Sequence, residues 1–182
     1  KELSDVRVVV QGFGNVGYWA SQLMHRQGAV VIGVSDVNGA IYNPNGLDMN
    51  AVGQHHRESG TISDFGQADH LSNAELLELD CDILMPASID NVITHENASN
   101  IKATLLLEAS NHPITPAADE ILSDMGVTVL PDILVNSGGV IVSYFEWVQN
   151  RLGFKWTKSR VNRRADTTIK QGFNSVYNLA LR

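Results

Sequence analysis

An α/β fold, with a mostly parallel, doubly wound sheet and a C-terminal helical tail, is what this sequence predicts. Three observations carry that expectation. Strand-like and helix-like segments alternate from Val6 to Leu130, the first strand runs directly into a glycine turn that opens a helix, and beyond Pro131 only helical periodicity continues.

The elements follow in order. Val6, Val8, Val9 and Val10 form a β-branched run ending at Gln11-Gly12-Phe13-Gly14, the pattern of a buried parallel strand feeding a tight turn. From Asn15 to Gln27, Val16, Trp19, Ala20, Leu23 and Met24 recur at helical spacing, and Gly28 is the C-terminal stop. A second strand spans Ala29 to Ser35 and completes a strand-helix-strand unit. The stretch from Asn38-Gly39 to Asn43-Pro44-Asn45-Gly46 reads as a turn-rich loop, followed by a weakly apolar helix from Leu47 to Glu58. Ser72-Asn73-Ala74-Glu75 is a capping box that opens a short helix before a strand at Asp82 to Met85. Another short helix is expected near Thr94 and a fourth strand at Ala103 to Leu107. Thr115-Pro116 starts a further helix that Gly126 closes, ahead of a strand at Val127 to Leu130. Two helices, Gly138 to Asn150 and Lys158 to Leu181, end the chain. The second carries a stripe of Val161, Ala165, Ile169, Phe173, Val176 and Ala180.

Composition narrows the function classes. Thirteen basic residues face 20 acidic ones, a net charge of −7 that disfavours nucleic acid and anionic lipid as partners. The longest apolar runs are far too short to cross a bilayer, and Lys1 to Val6 has no signal-peptide core. Cys81 is the single cysteine, so neither an internal disulfide nor a four-thiolate metal site can form within the chain, and a cytoplasmic setting is expected. His55-His56 with Glu58 is the densest cluster of metal-ligating types. Adjacent helical histidines point about 100° apart, so no metal site is expected there. Arg151, Lys155, Lys158, Arg160, Arg163 and Arg164 form a basic run without an acid. It reads as a solvated helix face or a docking surface, with polyanion binding as the alternative.

Chemistry concentrates at Gly12-x-Gly14-x-x-Gly17, immediately after a strand and opening a helix. Gly12 permits the turn, Gly14 admits a diphosphate to the backbone, and Gly17 lets helix and strand approach. The free N–H groups at the helix start then hold the phosphates. Asp36 ends the second strand 19 residues past Gly17, where a carboxylate accepts hydrogen bonds from an adenosine ribose. A 2′-phosphate would set negative charge against it, and no Arg or Lys lies between Val37 and Asn50, which favours NAD over NADP. The fold is therefore expected to be Rossmann-like. Asn111 and Asn136, after later strands, carry both donor and acceptor for a carboxamide, although turn chemistry explains them equally well.

Several motifs together resemble the glutamate/leucine/phenylalanine/valine dehydrogenase family, closest to its glutamate-using members. They are Gln11-Gly12-Phe13-Gly14-Asn15-Val16-Gly17, Gly33-Val34-Ser35-Asp36 with Gly39-Ala40-Ile41-Tyr42-Asn43-Pro44, Cys81-Asp82-Ile83-Leu84-Met85-Pro86-Ala87, Pro131-Asp132-Ile133-Leu134-Val135-Asn136, and Gly138-Gly139-Val140 through Ser143-Tyr144-Phe145-Glu146-Trp147. The resemblance implies that residues 1–135 form the dinucleotide-binding core and 136–182 a helical tail of the same domain. It implies cofactor contacts from Gly12, Phe13, Gly14, Asn15, Val16, Gly17, Asp36, Val37, Ala87, Ser88, Ile89, Asn111 and Asn136. Ser143 is implied to meet the side-chain carboxylate of glutamate, where leucine- and phenylalanine-using members carry an apolar residue. The implied reaction is NAD-dependent oxidative deamination of L-glutamate to 2-oxoglutarate and ammonia, in a homo-hexamer. The family's catalytic lysines and aspartate belong to an N-terminal domain, so no catalytic residue is assigned here and this chain alone is expected to be inactive. Ala109 and His112 depart from the family pattern, which has glycine at both positions. A leucine/phenylalanine-type enzyme and a free-standing NAD-binding module are the alternative readings.

Overall fold

The computed structural model describes residues 2–181. The chain forms two compact units, the first ending at Leu130 and the second beginning at Pro131.

The first unit is one seven-stranded sheet. Its elements are β1 (Arg7–Gln11), α1 (Asn15–Arg26), β2 (Val30–Asp36), β3 (Gly39–Tyr42), α2 (Met49–Ser59), β4 (Asp69–Leu71), α3 (Asn73–Leu77), β5 (Ile83–Pro86), β6 (Leu105–Leu107), α4 (Pro116–Asp124) and β7 (Thr128–Leu130). The strand order is β4-β3-β2-β1-β5-β6-β7. β2, β1, β5, β6 and β7 pair in parallel, while β3 and β4 extend the β2 edge antiparallel. Consecutive parallel strands lie on opposite sides of β1, so the order reverses between β1 and β5. In open α/β sheets such a point leaves a crevice at the carboxyl ends of the strands.

Burial on both sheet faces explains the β-branched runs. Val9, Ile32, Leu84 and Leu106 form one core cluster with Leu76 and Leu77 of α3 and Ala118 and Leu122 of α4. Their strand neighbours Val8, Val10, Val31 and Val34 are also wholly buried. The caps act as the sequence implies. The Ser72 hydroxyl accepts from the Glu75 N–H at 3.2 Å while the Glu75 carboxylate accepts from the Ser72 N–H at 2.8 Å. Thr115 caps α4, Pro116 is its first residue, and Gly126 turns the chain at φ +77°.

Two expectations fail locally. The loop expected after Asp36 contains β3, because the Asp36 carboxylate accepts from the Asn38 N–H at 2.7 Å and folds the chain back as a hairpin against β2. The helix expected near Thr94 shrinks to a turn and the 3₁₀ segment Ala98–Asn100. The Asn97 side chain intervenes by accepting from the Thr94 N–H and donating to the Val92 carbonyl, which gives this backbone a non-helical alternative. In α1 the apolar stripe points outward: Val16, Trp19 and Leu23 are about half exposed, while Gly17, Ser21 and Gln22 are buried.

The second unit holds α5 (Asp132–Val135), α6 (Gly138–Leu152) and α7 (Lys158–Ala180). The short α5 adds to the expected pair. α7 packs on α6 and α5, and Val161, Ala165 and Ile169 are half-buried, whereas Phe173 and Val176 at the far end of the stripe are exposed. Three members of the basic run lie over indoles of this unit: Arg160 and Arg164 each stand 4.6 Å from the Trp156 ring centre, and Arg151 is 5.8 Å from that of Trp147. Among the described residues no helix is long and apolar enough to cross a membrane.

Candidate functional site

The crevice at the reversal point is a cavity of about 950 Å³. Its wall is built from three strand ends: Gln11 to Val16 after β1, Asp36 to Asn38 after β2, and Ala87 to Ile89 after β5. Residues separated by as many as 78 positions thus meet along one sheet edge.

The three glycines serve three different purposes. Gly12 has φ +99°, and a Cβ on it would lie 2.7 Å from Ser88 Cβ and 3.1 Å from the Ala87 backbone, so the turn is both left-handed and pressed against the loop after β5. A Cβ on Gly17 would lie 1.9 Å from the Gly12 carbonyl oxygen, which makes this glycine the condition for α1 to sit against β1. Gly14 differs from both. It is the N-cap of α1 with φ −71°, and a Cβ there would meet nothing within 4 Å. Packing does not demand glycine at that position; a ligand pressed against the helix start would. The loop is tied to its neighbour strand by the Gly12 N–H, which donates to the buried Ser35 hydroxyl at 3.2 Å. Phe13 is buried beneath the turn, edge-on to Tyr18 and His56.

Asp36 is held from several sides. Its Oδ1 accepts from the Asn38 N–H, and its Oδ2 accepts from the Thr61 hydroxyl at 2.6 Å and the Ile62 N–H at 2.7 Å. Asn73 Nδ2 donates to the Asp36 carbonyl at 3.0 Å. Val37, at the hairpin tip, is 94% exposed and lines the cavity. No Lys or Arg is among the described residues lining it, and Asp36 is the one acidic side chain in that wall. Gln11 Oε1 and Asn73 Oδ1 are buried without a hydrogen-bond partner among the described residues, and a third such atom, Trp156 Nε1, belongs to the second unit.

Of the expected contact residues, Gly12, Phe13, Gly14, Asn15, Val16, Asp36, Val37, Ala87, Ser88 and Ile89 share this wall. Gly17 lies behind it as packing. Asn111 is exposed on the loop after β6 and is not among the lining residues. Asn136, at the end of α5, and Ser143, on α6, belong to the second unit. Ser143 is exposed and its hydroxyl donates to the Gly139 carbonyl at 2.6 Å, the i−4 back-bond of a helical serine. His112 adopts φ +46°, a conformation that glycine takes without cost, and its carbonyl accepts from the N–H of Asn91, itself at φ +52°. Ala109 is buried. Gln11, Thr61 and Asn73 escaped sequence reasoning. Asn73 sits inside a recognisable capping box, but nothing in the local pattern around Thr61 signals its bond to Asp36.

The sequence model of the family described as Glutamate/Leucine/Phenylalanine/Valine dehydrogenase matches residues 1–182. The chain belongs to this family. NADP-specific glutamate dehydrogenase A1 of Halobacterium salinarum is 48% identical over 177 residues, covering 97% of this chain and 42% of that protein. Among solved structures, glutamate dehydrogenase from Peptoniphilus asaccharolyticus matches with a TM-score of 0.79 at 36% identity, over 97% of this chain and 41% of that one. The hetero-hexameric glutamate dehydrogenase from Thermus thermophilus, in a leucine-bound form, matches with a TM-score of 0.91 at 31% identity, again over 97% and 41%. The chain thus spans about two fifths of the length of these dehydrogenase relatives.

Proposed function

We propose that the first unit binds NAD along the β1/β5 crevice and that the intact protein oxidatively deaminates L-glutamate to 2-oxoglutarate and ammonia. The observation that carries the cofactor reading is Gly14, the one position of the glycine turn where packing leaves room for a side chain and the sequence has none. The residues present fit the dinucleotide. The N–H groups at the start of α1 would hold its diphosphate, Asp36 would accept from the adenosine ribose, and Ala87 to Ile89 would border its far side. When bound, the nicotinamide supplies a hydride acceptor. Family membership supports an amino acid as the hydride donor, and the proposal assigns Asn111 and Asn136 to the nicotinamide end. Ser143 would turn its hydroxyl from the Gly139 carbonyl to the substrate's side-chain carboxylate, which favours glutamate over leucine.

The acidic wall around Asp36, without a cation to receive a 2′-phosphate, supports NAD. One observation favours the opposite choice: the Halobacterium salinarum relative is named NADP-specific. Calorimetric titration of this chain with each dinucleotide decides between them. NAD is expected to bind more tightly by at least tenfold, and tighter NADP binding overturns the assignment. The chain by itself is expected to bind cofactor without deaminating glutamate, and turnover by it would place catalytic groups within these 182 residues. The intact protein is proposed to be a cytoplasmic homo-hexamer, which light scattering on full-length material tests.

A further inference from the structure

The bonds around Asp36 leave little freedom to the carboxylate. The Thr61 hydroxyl has one hydrogen and two lone pairs. It accepts from Asn38 Nδ2 at 3.1 Å and from the Ser63 N–H at 3.2 Å, lies 3.0 Å from the Ser63 hydroxyl, and stands 2.6 Å from Asp36 Oδ2. A carboxylate oxygen accepts, so the Thr61 hydrogen goes to Asp36, and the Asn38 and Ser63 nitrogens take its two lone pairs. With the Ile62 N–H on the same oxygen and the Asn38 N–H on the other, three of the roughly four acceptor sites of the carboxylate are filled by protein. What remains is one acceptor direction for a ribose hydroxyl, and a charge unable to rotate away from whatever approaches.

We propose that Thr61 is a positioning residue for cofactor choice: its hydroxyl pins the Asp36 carboxylate in the cavity wall, so that a 2′-phosphorylated dinucleotide meets a fixed negative charge. The inference rests on the NAD reading above. It goes beyond that reading by locating selectivity in a bond made 25 residues away in sequence. Without the Thr61 bond the carboxylate keeps its two backbone donors but loses its shortest contact, and it turns from a phosphate more readily.

The test is the ratio of NADP to NAD dissociation constants, measured by calorimetry on the wild-type chain and on Thr61→Val, Thr61→Ser and Ser63→Ala. Valine keeps the shape of threonine and removes the hydroxyl. The ratio is expected to fall by about 5-fold or more in Thr61→Val, as loss of a bond to a charged group implies. It should return to the wild-type value in Thr61→Ser and stay there in Ser63→Ala, which touches Thr61 but not Asp36. A melting curve for each variant separates loss of fold from loss of selectivity, and serine carries the test if valine does not fold. A wild-type chain that binds neither dinucleotide, or prefers NADP, overturns the cofactor reading and the inference together. A wild-type preference for NAD with an unchanged ratio in Thr61→Val, or a reduced ratio in Thr61→Ser, overturns the inference alone.

Discussion

Replacing Gly14 with alanine separates function from folding at a single atom. The residue caps α1 with φ −71° and ψ −165°, a conformation open to any L-residue, and the added methyl meets nothing within 4 Å. Two small effects on stability oppose each other. Alanine reduces the freedom of the unfolded chain, worth about 0.4–1 kcal/mol. It is also a poorer N-cap than glycine, by roughly 0.5–1 kcal/mol. The net change stays within about 0.5 kcal/mol, or roughly 2 °C in melting temperature for a chain of this size. Binding behaves differently. A methyl between the helix-start amides and a diphosphate lengthens at least one charge-assisted hydrogen bond beyond useful range, costing about 1.5–3 kcal/mol. That corresponds to a 10- to 150-fold weaker dissociation constant for NAD, at about 1.4 kcal/mol per tenfold. Paired calorimetry and thermal melts measure both quantities. Unchanged affinity in a stable Gly14→Ala protein refutes the placement of the diphosphate against α1.

Gly17, inside α1, gives the converse result. In Gly17→Ala the methyl would stand 1.9 Å from the Gly12 carbonyl oxygen, so α1 and the turn must part, with a loss of about 3 kcal/mol or more and a visibly lower melting temperature. Ser72 and Glu75 offer a pH test. The Ser72 N–H, and secondarily its hydroxyl, hold the Glu75 carboxyl below its ordinary pKa. A depressed carboxylate contributes to stability above its unfolded pKa and loses that contribution as pH falls through the folded value. Ser72→Ala keeps the N–H and removes only the hydroxyl, so it should raise the Glu75 pKa part of the way toward its ordinary value in an NMR titration, and an unmoved midpoint contradicts the hydroxyl's contribution. Burial, reinforced by the flanking Asp80 and Asp82 carboxylates, pushes the Cys81 thiol up to about 12. It should resist thiol reagents at neutral pH until the chain unfolds, and rapid labelling of the native protein would show the opposite.

Sheet, crossover and the cavity edge were readable because each rests on short-range signals: valine runs for buried strands, a glycine turn before α1, Thr115-Pro116 at the start of α4. Orientation was less readable. The periodicity of Val16, Trp19 and Leu23 marks α1 as a helix, yet the face it buries is Gly17, Ser21 and Gln22, because close approach to β1 selects small side chains there rather than large apolar ones. β3 was hidden because Gly39 and the following turn residues disguise a four-residue strand whose stability comes from pairing with β2 and β4. The expected helix at Thr94 lost to the side chain of Asn97, a competition that composition does not rank. In the candidate site, the turn and Asp36 are contiguous motifs. The hydroxyl that steadies Asp36 arrives through the tertiary fold, with no spacing rule to announce it.

The contact that a Gly12 methyl would make with Ser88 has a practical reading for anyone reshaping this cleft. The loops after β1 and β5 touch there, and because the Ala87 backbone also stands 3.1 Å away, trimming Ser88 alone would not make room for a side chain at 12. Libraries that randomise positions 12 to 17 alone would mostly sample jammed turns. Keeping glycine at 12 and 17 while varying the exposed positions 14 to 16 together with 88 and 89 would reshape the cleft and leave the turn intact.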